Sequence, residues 1–110
     1  MNIEFQEKQS RMVRLSAQKD DQEIGYMSIY FIVNEGHEKP YALFEYLFVS
    51  EDYRRQGIGT DLIKNAIEFV KKEGCYKILA QSRHGREGLH EMYKNLGFDD
   101  HGKNFRMNLI

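Results

Sequence analysis

The stretch from residue 41 to residue 82 restricts the fold of this chain more than any other part. It begins with a β-rich run, YALFEYLFV, passes through SEDYRRQGIG, and then enters TDLIKNAIEFVKKEG. Apolar residues recur in this last segment at helical spacing, and Gly74 marks its end. A short apolar run, YKILAQS, follows at 76–82. The order strand, helix, strand predicts a right-handed crossover between two parallel, neighbouring strands.

The residues on either side of this unit predict more strands and a second helix. Two β-rich runs, 12–18 and 23–33, are separated by KDDQ, which is typical of a hairpin. We expect a helix over 86–96 and a final strand over 105–110, the latter beside a short strand near Phe98. A chain of 110 residues has the size of one domain. We therefore predict a single domain over 1–110, α/β and α+β-like, with a mixed, mostly antiparallel sheet of about five to seven strands and two main helices.

Composition and charge exclude several classes of protein. No run approaches the roughly 20 apolar residues of a membrane span, and the N-terminus lacks the apolar core of a secretory signal, so we expect a cytoplasmic protein without membrane contact. Cys75 is the single cysteine and the four histidines show no paired spacing, so no metal site is implied. Residues 1–52 carry ten acidic and five basic side chains, and residues 53–110 carry seven and eleven. The basic excess is too small for nucleic acid, but it suits a compact phosphate-bearing ligand.

The segment YRRQGIG, residues 53–59, lies where the strand gives way to the helix. The first N–H groups of a helix have no intrahelical partners and carry partial positive charge. Gly57 and Gly59 remove side chains that would keep a ligand away from them. The segment lacks the lysine of a P-loop, and Leu62 occupies the place of the third glycine of a dinucleotide fingerprint. Spacing alone leaves two interpretations, a phosphate-binding loop and a glycine-rich turn with exposed arginines.

The stretch FEYLFVSEDYRRQGIGTDLIKNAIEFVKK resembles the acyl-CoA signature of the GNAT superfamily of N-acetyltransferases. In that family a strand ending in valine is followed by [RQ]xxGxG[AST] and an amphipathic helix. Arg54, Gly57, Gly59 and Thr60 occupy the signature positions, and EMYKNLGF at 91–98 matches the family's YxxLGF pattern. The resemblance covers roughly residues 11–110, and it implies that acetyl-CoA is the cofactor.

The resemblance also implies which residues contact coenzyme A. In the family, loop amides bind the pyrophosphate and the end of the preceding strand pairs with the pantetheine arm. Arg86 stands close to the place of an asparagine that contacts the cofactor in relatives, and it either reaches a CoA phosphate or points into solvent. The residues expected to contact the cofactor are Phe48, Val49, Arg54, Arg55, Gln56, Gly57, Ile58, Gly59, Thr60 and Arg86.

Acyl transfer to an amine needs a base, because an ordinary amine is protonated at neutral pH. Glu45 is the candidate. Strand alternation would place it on one face with Leu43, Leu47 and Val49, and an apolar setting raises the pKa of a carboxyl group. Several relatives carry an acidic residue at this position, although a paired or solvated structural carboxylate is the alternative interpretation. The resemblance implies that Tyr93 protonates the departing thiolate, whereas helical spacing also allows it to be a core residue.

The function that follows is an acetyl-CoA-dependent N-acetyltransferase in which a primary amine attacks the thioester directly. Gln81 stands where some relatives have a glutamate base, and an amide cannot accept that proton, so the base is Glu45 or water. This departure leaves a second function open, a non-catalytic CoA-binding module that acts as a partner or regulatory domain.

The acceptor site is the least defined part of the prediction. Typical family members place a strand and two helices before the hairpin, whereas here only about ten residues precede Arg11. We expect a shortened core whose acceptor site is open to a bulky substrate or is completed by a second subunit in a homodimer. The acceptor is a small-molecule amine or a protein lysine or N-terminus, and the acidic first half favours a cationic amine.

Overall fold

The structure of the protein is a computed structural model that describes residues 1–82 and 84–110. Its elements are β1 (Met12–Lys19), β2 (Gln22–Ile32), β3 (Tyr41–Val49), α1 (Ile58–Lys72), β4 (Ile78–Ala80) and α2 (Glu87–Asn95), with a 3-10 turn at Glu51–Tyr53. The strands form one sheet in the order β1-β2-β3-β4. The first three are antiparallel, and β4 runs parallel to β3. The predicted α/β class, with a mixed sheet and a β-α-β crossover, is confirmed.

The turn between β1 and β2 is formed by Asp20 and Asp21. Both residues have positive φ, 51° and 62°. Two consecutive residues of this kind make the type of tight turn whose twist matches that of the strands it joins, and aspartate tolerates the conformation better than most residues do. The hairpin predicted at KDDQ is confirmed.

The core lies between the sheet and α1. Alternate residues of β2 and β3 face α1, and they meet the apolar stripe predicted for that helix. Residues of α2 and the turn after it, Met92, Tyr93, Leu96 and Phe98, pack against the same cluster. The buried residues of the cluster are Met27, Ile29, Phe31, Ala42, Phe44, Leu62, Ile63, Ala66 and Val70.

A β-bulge interrupts β3 close to its end. Ser28 of β2 pairs with Glu45, and Tyr26 pairs with Phe48, so β3 contains one more residue than β2 between these two pairs. Tyr46, within the bulge, has a φ of 57°. An extra residue in one strand reverses which side chains face each side of the sheet.

This reversal corrects one prediction about Glu45. The side chains of Leu47 and Val49 point toward α1, where each comes within 3.8 Å of the position that a Cβ on Gly59 would take. Glu45 follows Phe44, a core residue, and therefore faces away from α1 together with Leu43. The expected common face of Glu45 with Leu47 and Val49 is wrong, because the bulge lies between them.

The final strand predicted over 105–110 is not formed, and neither is a strand near Phe98. Phe98 packs instead against Phe44 and Tyr93, at ring-centroid distances of 6.5 Å and 5.2 Å. Phe105 and Leu109 are exposed. Apolar alternation suits a strand, but a strand also needs a hydrogen-bonded neighbour, which the pattern cannot supply. The described sheet thus has four strands, fewer than the five to seven expected.

The remaining differences concern element ends. α1 begins at Ile58, two residues before the predicted start, and β4 spans Ile78–Ala80, which is shorter than the predicted 76–82. Within the described residues, neither helix is long and apolar enough to cross a bilayer.

Candidate functional site

β3 and β4 are paired only up to Phe44 and Ala80, and they separate toward their carboxyl ends. Their parallel pairing joins Ala42–Phe44 to Ile78–Ala80, and β3 then continues to Val49. Within the described residues, the edge of β3 beyond Phe44 therefore has no strand beside it on the β4 side. Such an edge presents N–H and C=O groups that an extended, amide-containing ligand can pair with.

The loop after β3 turns sharply before α1 begins. Arg55 has a φ of 63°, and Gly57, the N-cap residue of α1, has a φ of 84°. A Cβ at Gly57 would meet no atom within 4 Å. The glycine is therefore required by its backbone conformation, which other L-residues resist, and not by a lack of space.

The N-terminus of α1 lies open at this loop. The first backbone hydrogen bond of the helix runs from the N–H of Asp61 to the carbonyl oxygen of Gly57, at 2.9 Å. No side chain in the described part of the chain caps this end. The N–H groups of Ile58, Gly59 and Thr60 can therefore bind an anion at the positive end of the helix dipole.

A cleft of about 250 Å³ opens between the end of β3, this loop and α2. Of the ten residues predicted to contact a cofactor, seven line it. Two further lining residues, Tyr53 and Met92, were not predicted, although they directly precede Arg54 and Tyr93 in the two recognised motifs. The lining residues are Val49, Tyr53, Arg54, Arg55, Gly57, Ile58, Gly59, Thr60 and Met92.

The two arginines of the loop have different surroundings. The Nε–H of Arg54 donates to the carbonyl oxygen of Val49 at 2.8 Å, and its guanidinium lies 5.7 Å from the centroid of the Phe48 ring. Arg54 thus ties the loop to the end of β3. The carbonyl of Val49, expected to pair with pantetheine, already accepts this hydrogen bond. Arg55 is exposed at the cleft.

The other three residues predicted to contact a cofactor lie outside the cleft. Phe48 faces away from α1, and its ring packs against that of Tyr26 at 5.3 Å. The side-chain amide of Gln56 donates to the carbonyl oxygen of Asp52 at 3.3 Å. Arg86 is the exposed N-cap residue of α2.

Glu45 lies on the side of the sheet opposite α1. It is half-buried, and its pairing partner on β2 is Ser28, which is only 5% exposed. The cleft is on the α1 side, so Glu45 and the cleft meet only around the edge of β3 that β4 leaves uncovered. Gln81, the position where some relatives have an acidic residue, is exposed just after β4.

Tyr93 is half-buried on α2, one residue after Met92 of the cleft. Burial raises the pKa of its phenol, and the nearby positive charge of Arg86 opposes this effect. The phenol is therefore protonated at neutral pH and can donate a proton or a hydrogen bond. Its ring also packs 5.2 Å from that of Phe98, so the core interpretation of this residue agrees with its position as well.

One polar contact near the end of β4 had no sequence signal. The Nε2 atom of His90 lies 3.1 Å from the Oγ atom of Ser82. The contact joins α2 to the segment that follows β4, and a histidine and a serine eight positions apart in a sequence do not indicate it.

Two curated relatives are similar to this chain over different lengths. Aminoglycoside N(6′)-acetyltransferase type 1 from Acinetobacter genomosp. 13 is 32% identical in a 96-residue alignment that covers 84% of this chain and 66% of that protein. N-alpha-acetyltransferase 30 from Homo sapiens is 36% identical over 52 residues, which make up 47% of this chain and 14% of that protein. The chain thus spans just under two thirds of the first relative and a small part of the second.

A solved structure and a family model that are similar to this chain are also those of acetyltransferases. The structure of an acetyltransferase from Trypanosoma brucei superposes with a TM-score of 0.78 at 26% identity, covering 89% of this chain and 69% of that one. The Acetyltransferase (GNAT) family model matches residues 2–98, nearly the whole length. The fold, the loop between β3 and α1, and these similarities lead to one conclusion: the chain belongs to the GNAT family of acetyltransferases.

Proposed function

We propose that this protein is an acetyl-CoA-dependent N-acetyltransferase that acts on a primary amine. The observation that carries the proposal is the N-terminus of α1, which has no side-chain cap among the described residues and opens into a cleft lined by Arg54 and Arg55. The cleft lies at the end of β3, whose edge beyond Phe44 is not covered by β4. A diphosphate joined to an arm with two amide groups, as in coenzyme A, matches both parts of this site.

The residues of the cleft fit the cofactor in charge and in shape. The N–H groups of Ile58, Gly59 and Thr60 bind the pyrophosphate, and Arg55 adds a charge-assisted hydrogen bond. The backbone of β3 beyond Phe44 pairs with the amides of the pantetheine arm in the manner of an added strand. When bound, the cofactor supplies an activated acetyl thioester.

The chain's own side chains then move protons. Glu45, directly or through a water, would take one proton from the ammonium form of the acceptor, so that the neutral amine can displace the thiolate from the acetyl group. The second proton of the nitrogen would pass to solvent as the amide forms. Tyr93 gives its phenolic proton to the departing sulfur and is reprotonated from solvent. Tyr93 is protonated at neutral pH, as a proton donor must be, and the positive charge of Arg86 partly offsets the rise in the phenol pKa that burial causes.

The acceptor that we propose is a cationic small-molecule amine. The relative that aligns with the larger share of this chain is named for aminoglycosides, which carry several amino groups. The acidic excess of residues 1–52 would attract such a cation. Glu45 faces the side of the sheet away from both helices, where a bulky acceptor has access.

A second candidate function is a CoA-binding module without catalysis. The observation that favours it is the position of Glu45, which does not line the cleft, together with the neutral Gln81 at the end of β4. In that case the protein would bind acetyl-CoA and CoA but release no thiol with any amine.

The test uses a matched pair of substitutions at Thr60, in the first turn of α1. Thr60→Glu puts a negative charge in the proposed phosphate site, while glutamate in a first turn suits the helix and leaves the fold intact. Thr60→Gln has the same shape without the charge. Calorimetric titration with acetyl-CoA should show binding by the parent, about a tenfold or greater loss in Thr60→Glu, and a smaller loss in Thr60→Gln.

Turnover is then measured as thiol release with a panel of aminoglycosides, polyamines and peptides. Release with an amine supports the enzyme, and binding without release on the whole panel supports the module. Equal binding by both Thr60 variants would mean that the diphosphate lies elsewhere, and a parent that does not bind acetyl-CoA would contradict both functions.

A further inference from the structure

Ser82 and His90 form a polar pair just beyond the carboxyl end of β4. The Nε2 atom of His90, on α2, lies 3.1 Å from the Oγ atom of Ser82, and both side chains are half-buried. When the ring proton is on Nδ1, Nε2 is an acceptor and the Ser82 hydroxyl donates to it. This is the arrangement of an activated nucleophile, because the imidazole can take the proton as the serine oxygen attacks.

The pair lies on the same side of the sheet as the cleft. Ala80 packs against the core on the α1 side, and Ser82 follows it by two positions, so strand alternation directs both side chains that way. The contact of Ser82 with α2 agrees, since α2 packs against the same core. His90 precedes Tyr93 by three positions, which makes the two side chains neighbours on one face of the helix. The pair is therefore about one helical turn from the proposed proton donor.

Ser82 also lies across from the uncovered edge of β3. Ala80 pairs with Phe44, and this is the last pair before the two strands separate. Ser82 comes two residues later, about 7 Å further along the chain. The gap between the separated strands thus has the β3 edge on one side and Ser82 on the other. In the proposed function the pantetheine arm lies along the β3 edge, which brings an acetyl thioester into this gap.

We propose that Ser82 and His90 give the protein a second activity, the hydrolysis of acetyl-CoA through an acetyl-serine intermediate when no amine is bound. This inference rests on the proposed function for the binding of acetyl-CoA. Direct transfer to an amine uses Glu45 or water as the base and does not need the Ser82 hydroxyl. The two reactions can therefore be separated by substitution.

The hydrolysis has two steps. In the first, His90 takes the proton of Ser82 while Oγ forms a C–O bond to the acetyl carbonyl carbon, the C–S bond breaks, and the proton passes from His90 to the departing sulfur. In the second, His90 takes a proton from a water whose oxygen attacks the acetyl ester. The Ser82 oxygen then leaves with the proton that His90 returns. The products are acetic acid and coenzyme A, and the protein is restored.

The alternative interpretation is a structural contact that links α2 to the segment after β4. Two substitutions distinguish this link from a catalytic pair. Ser82→Ala removes the nucleophile. His90→Gln places a side-chain amide near the position of Nε2 and can keep a hydrogen bond to Ser82, but an amide cannot take the proton. A structural link would survive His90→Gln, whereas a catalytic pair would not.

The first measurement is thiol release from acetyl-CoA in a buffer that contains no amine. We expect release by the parent and about a tenfold or greater loss in both Ser82→Ala and His90→Gln, with affinities for acetyl-CoA within about threefold of the parent by calorimetry. Ser50→Ala is the matched control. It removes a hydroxyl directly after the neighbouring strand β3, leaves the Ser82–His90 pair intact, and should keep the rate of the parent.

The second measurement looks for the intermediate. The parent is mixed with acetyl-CoA, quenched in acid and digested, and mass spectrometry locates the acetyl groups on its peptides. We expect an acetyl group on Ser82 that hydroxylamine removes, because hydroxylamine cleaves an ester but leaves the amide of an acetylated lysine. His90→Gln should carry no acetyl group on Ser82 at the same reaction time.

The outcomes separate this inference from the proposed function. Undiminished thiol release by Ser82→Ala or by His90→Gln would overturn the second activity. Loss of release in both variants without an acetyl group on Ser82 in the parent would overturn the covalent step. A parent that binds acetyl-CoA but releases no thiol without an amine would overturn the inference while the proposed function stands. A parent that does not bind acetyl-CoA would contradict the proposed function itself.

Discussion

The Nε–H of Arg54 donates to the carbonyl oxygen of Val49 at 2.8 Å, so the first arginine of the loop is bonded to the last residue of β3. This contact holds the turn against the strand end. The second arginine, Arg55, lines the same cleft from a left-handed backbone conformation. Adjacent residues of one type thus have different structural roles, one in shaping the loop and one in presenting charge.

Substituting the two arginines separately should separate these roles. Arg54→Met removes the donor to Val49 and should lower the free energy of unfolding by about 1 kcal/mol. Arg55→Met should leave unfolding unchanged and weaken acetyl-CoA binding about three- to tenfold, with a shallower dependence on salt. Urea unfolding and calorimetry measure the two effects. If Arg55→Met destabilised the fold as much as Arg54→Met, the distinction would be wrong.

Gly25 lies where the backbone of β2 closely approaches both β3 and α1. A Cβ there would lie 3.0 Å from the carbonyl oxygen of Phe48 and 3.3 Å from Cδ1 of Leu62. Gly25→Ala should therefore lower the free energy of unfolding by about 1–3 kcal/mol, because backbone and core must shift. Gly88→Ala, whose Cβ would meet no atom, is the control and should be neutral or stabilising. Urea midpoints of the two variants would decide, and equal midpoints would contradict the prediction.

The two glycines of the loop should respond differently to alanine. Gly57 has a φ of 84°, so Gly57→Ala should cost about 1–2 kcal/mol, and Gly57→Asn should cost less because asparagine tolerates this conformation. At Gly59 a Cβ would make only ordinary contacts, at 3.8 Å, and alanine suits a helix. Thermal unfolding measures these changes. Retained stability of Gly59→Ala with lost acetyl-CoA binding would indicate that the ligand approaches its backbone closely.

Glu45 and Tyr93 should affect turnover more than binding. If they act as base and acid, Glu45→Gln and Tyr93→Phe should each lower kcat by about 10²–10⁴-fold and change the affinity for acetyl-CoA less than threefold. Steady-state kinetics with the best amine of the panel measures kcat, and calorimetry measures the affinity. Unchanged kcat in Glu45→Gln would assign proton removal to water.

The fold should lose stability in alkaline solution. Burial raises the pKa of Tyr93 and that of the Cys75 thiol, so in the folded state both groups keep their protons to higher pH than in the unfolded chain. Their contribution is complete below the unfolded pKa values, about 8.5 for cysteine and 10 for tyrosine, and it falls as pH rises through the folded values. Tyr93→Phe and Cys75→Ala should each reduce this loss in urea unfolding between pH 8 and 11. If both variants lost stability with rising pH as the parent does, the assignment of the alkaline loss to Tyr93 and Cys75 would be wrong.

Local patterns were sufficient to predict the elements that position the loop. The apolar stripe of α1 and the turn residues at KDDQ are determined by neighbours along the chain, and both were predicted correctly. The glycines at 57 and 59 placed the start of a helix next to the end of a strand, as the structure has it. The assignment of individual side chains to cofactor and substrate stays a prediction.

The features that sequence could not predict depend on contacts between distant parts of the chain. The bulge at Tyr46 could not be predicted from the sequence. Residues 46–49 read YLFV, a run without polar residues, so no alternation of polar and apolar side chains shows which face each residue takes. The 105–110 segment alternates as a strand does, but pairing depends on a neighbour that no local pattern specifies. The contribution of Met92 on α2 to the wall of the cleft likewise depends on how the two helices pack.

The order of pairing in the sheet has a consequence for the folding reaction. β1, β2 and β3 pair with their sequence neighbours across a two-residue turn and an eight-residue loop, whereas β4 reaches β3 only after the whole of α1, pairing Ala42 with Ile78. Contacts between distant residues form slowly, because a long loop must close first. We therefore expect the three-stranded meander to form early and the gap between β3 and β4 to take shape late. The part of the molecule that is proposed to bind the cofactor would then also be the first to open in local unfolding, and bound ligand would slow that opening.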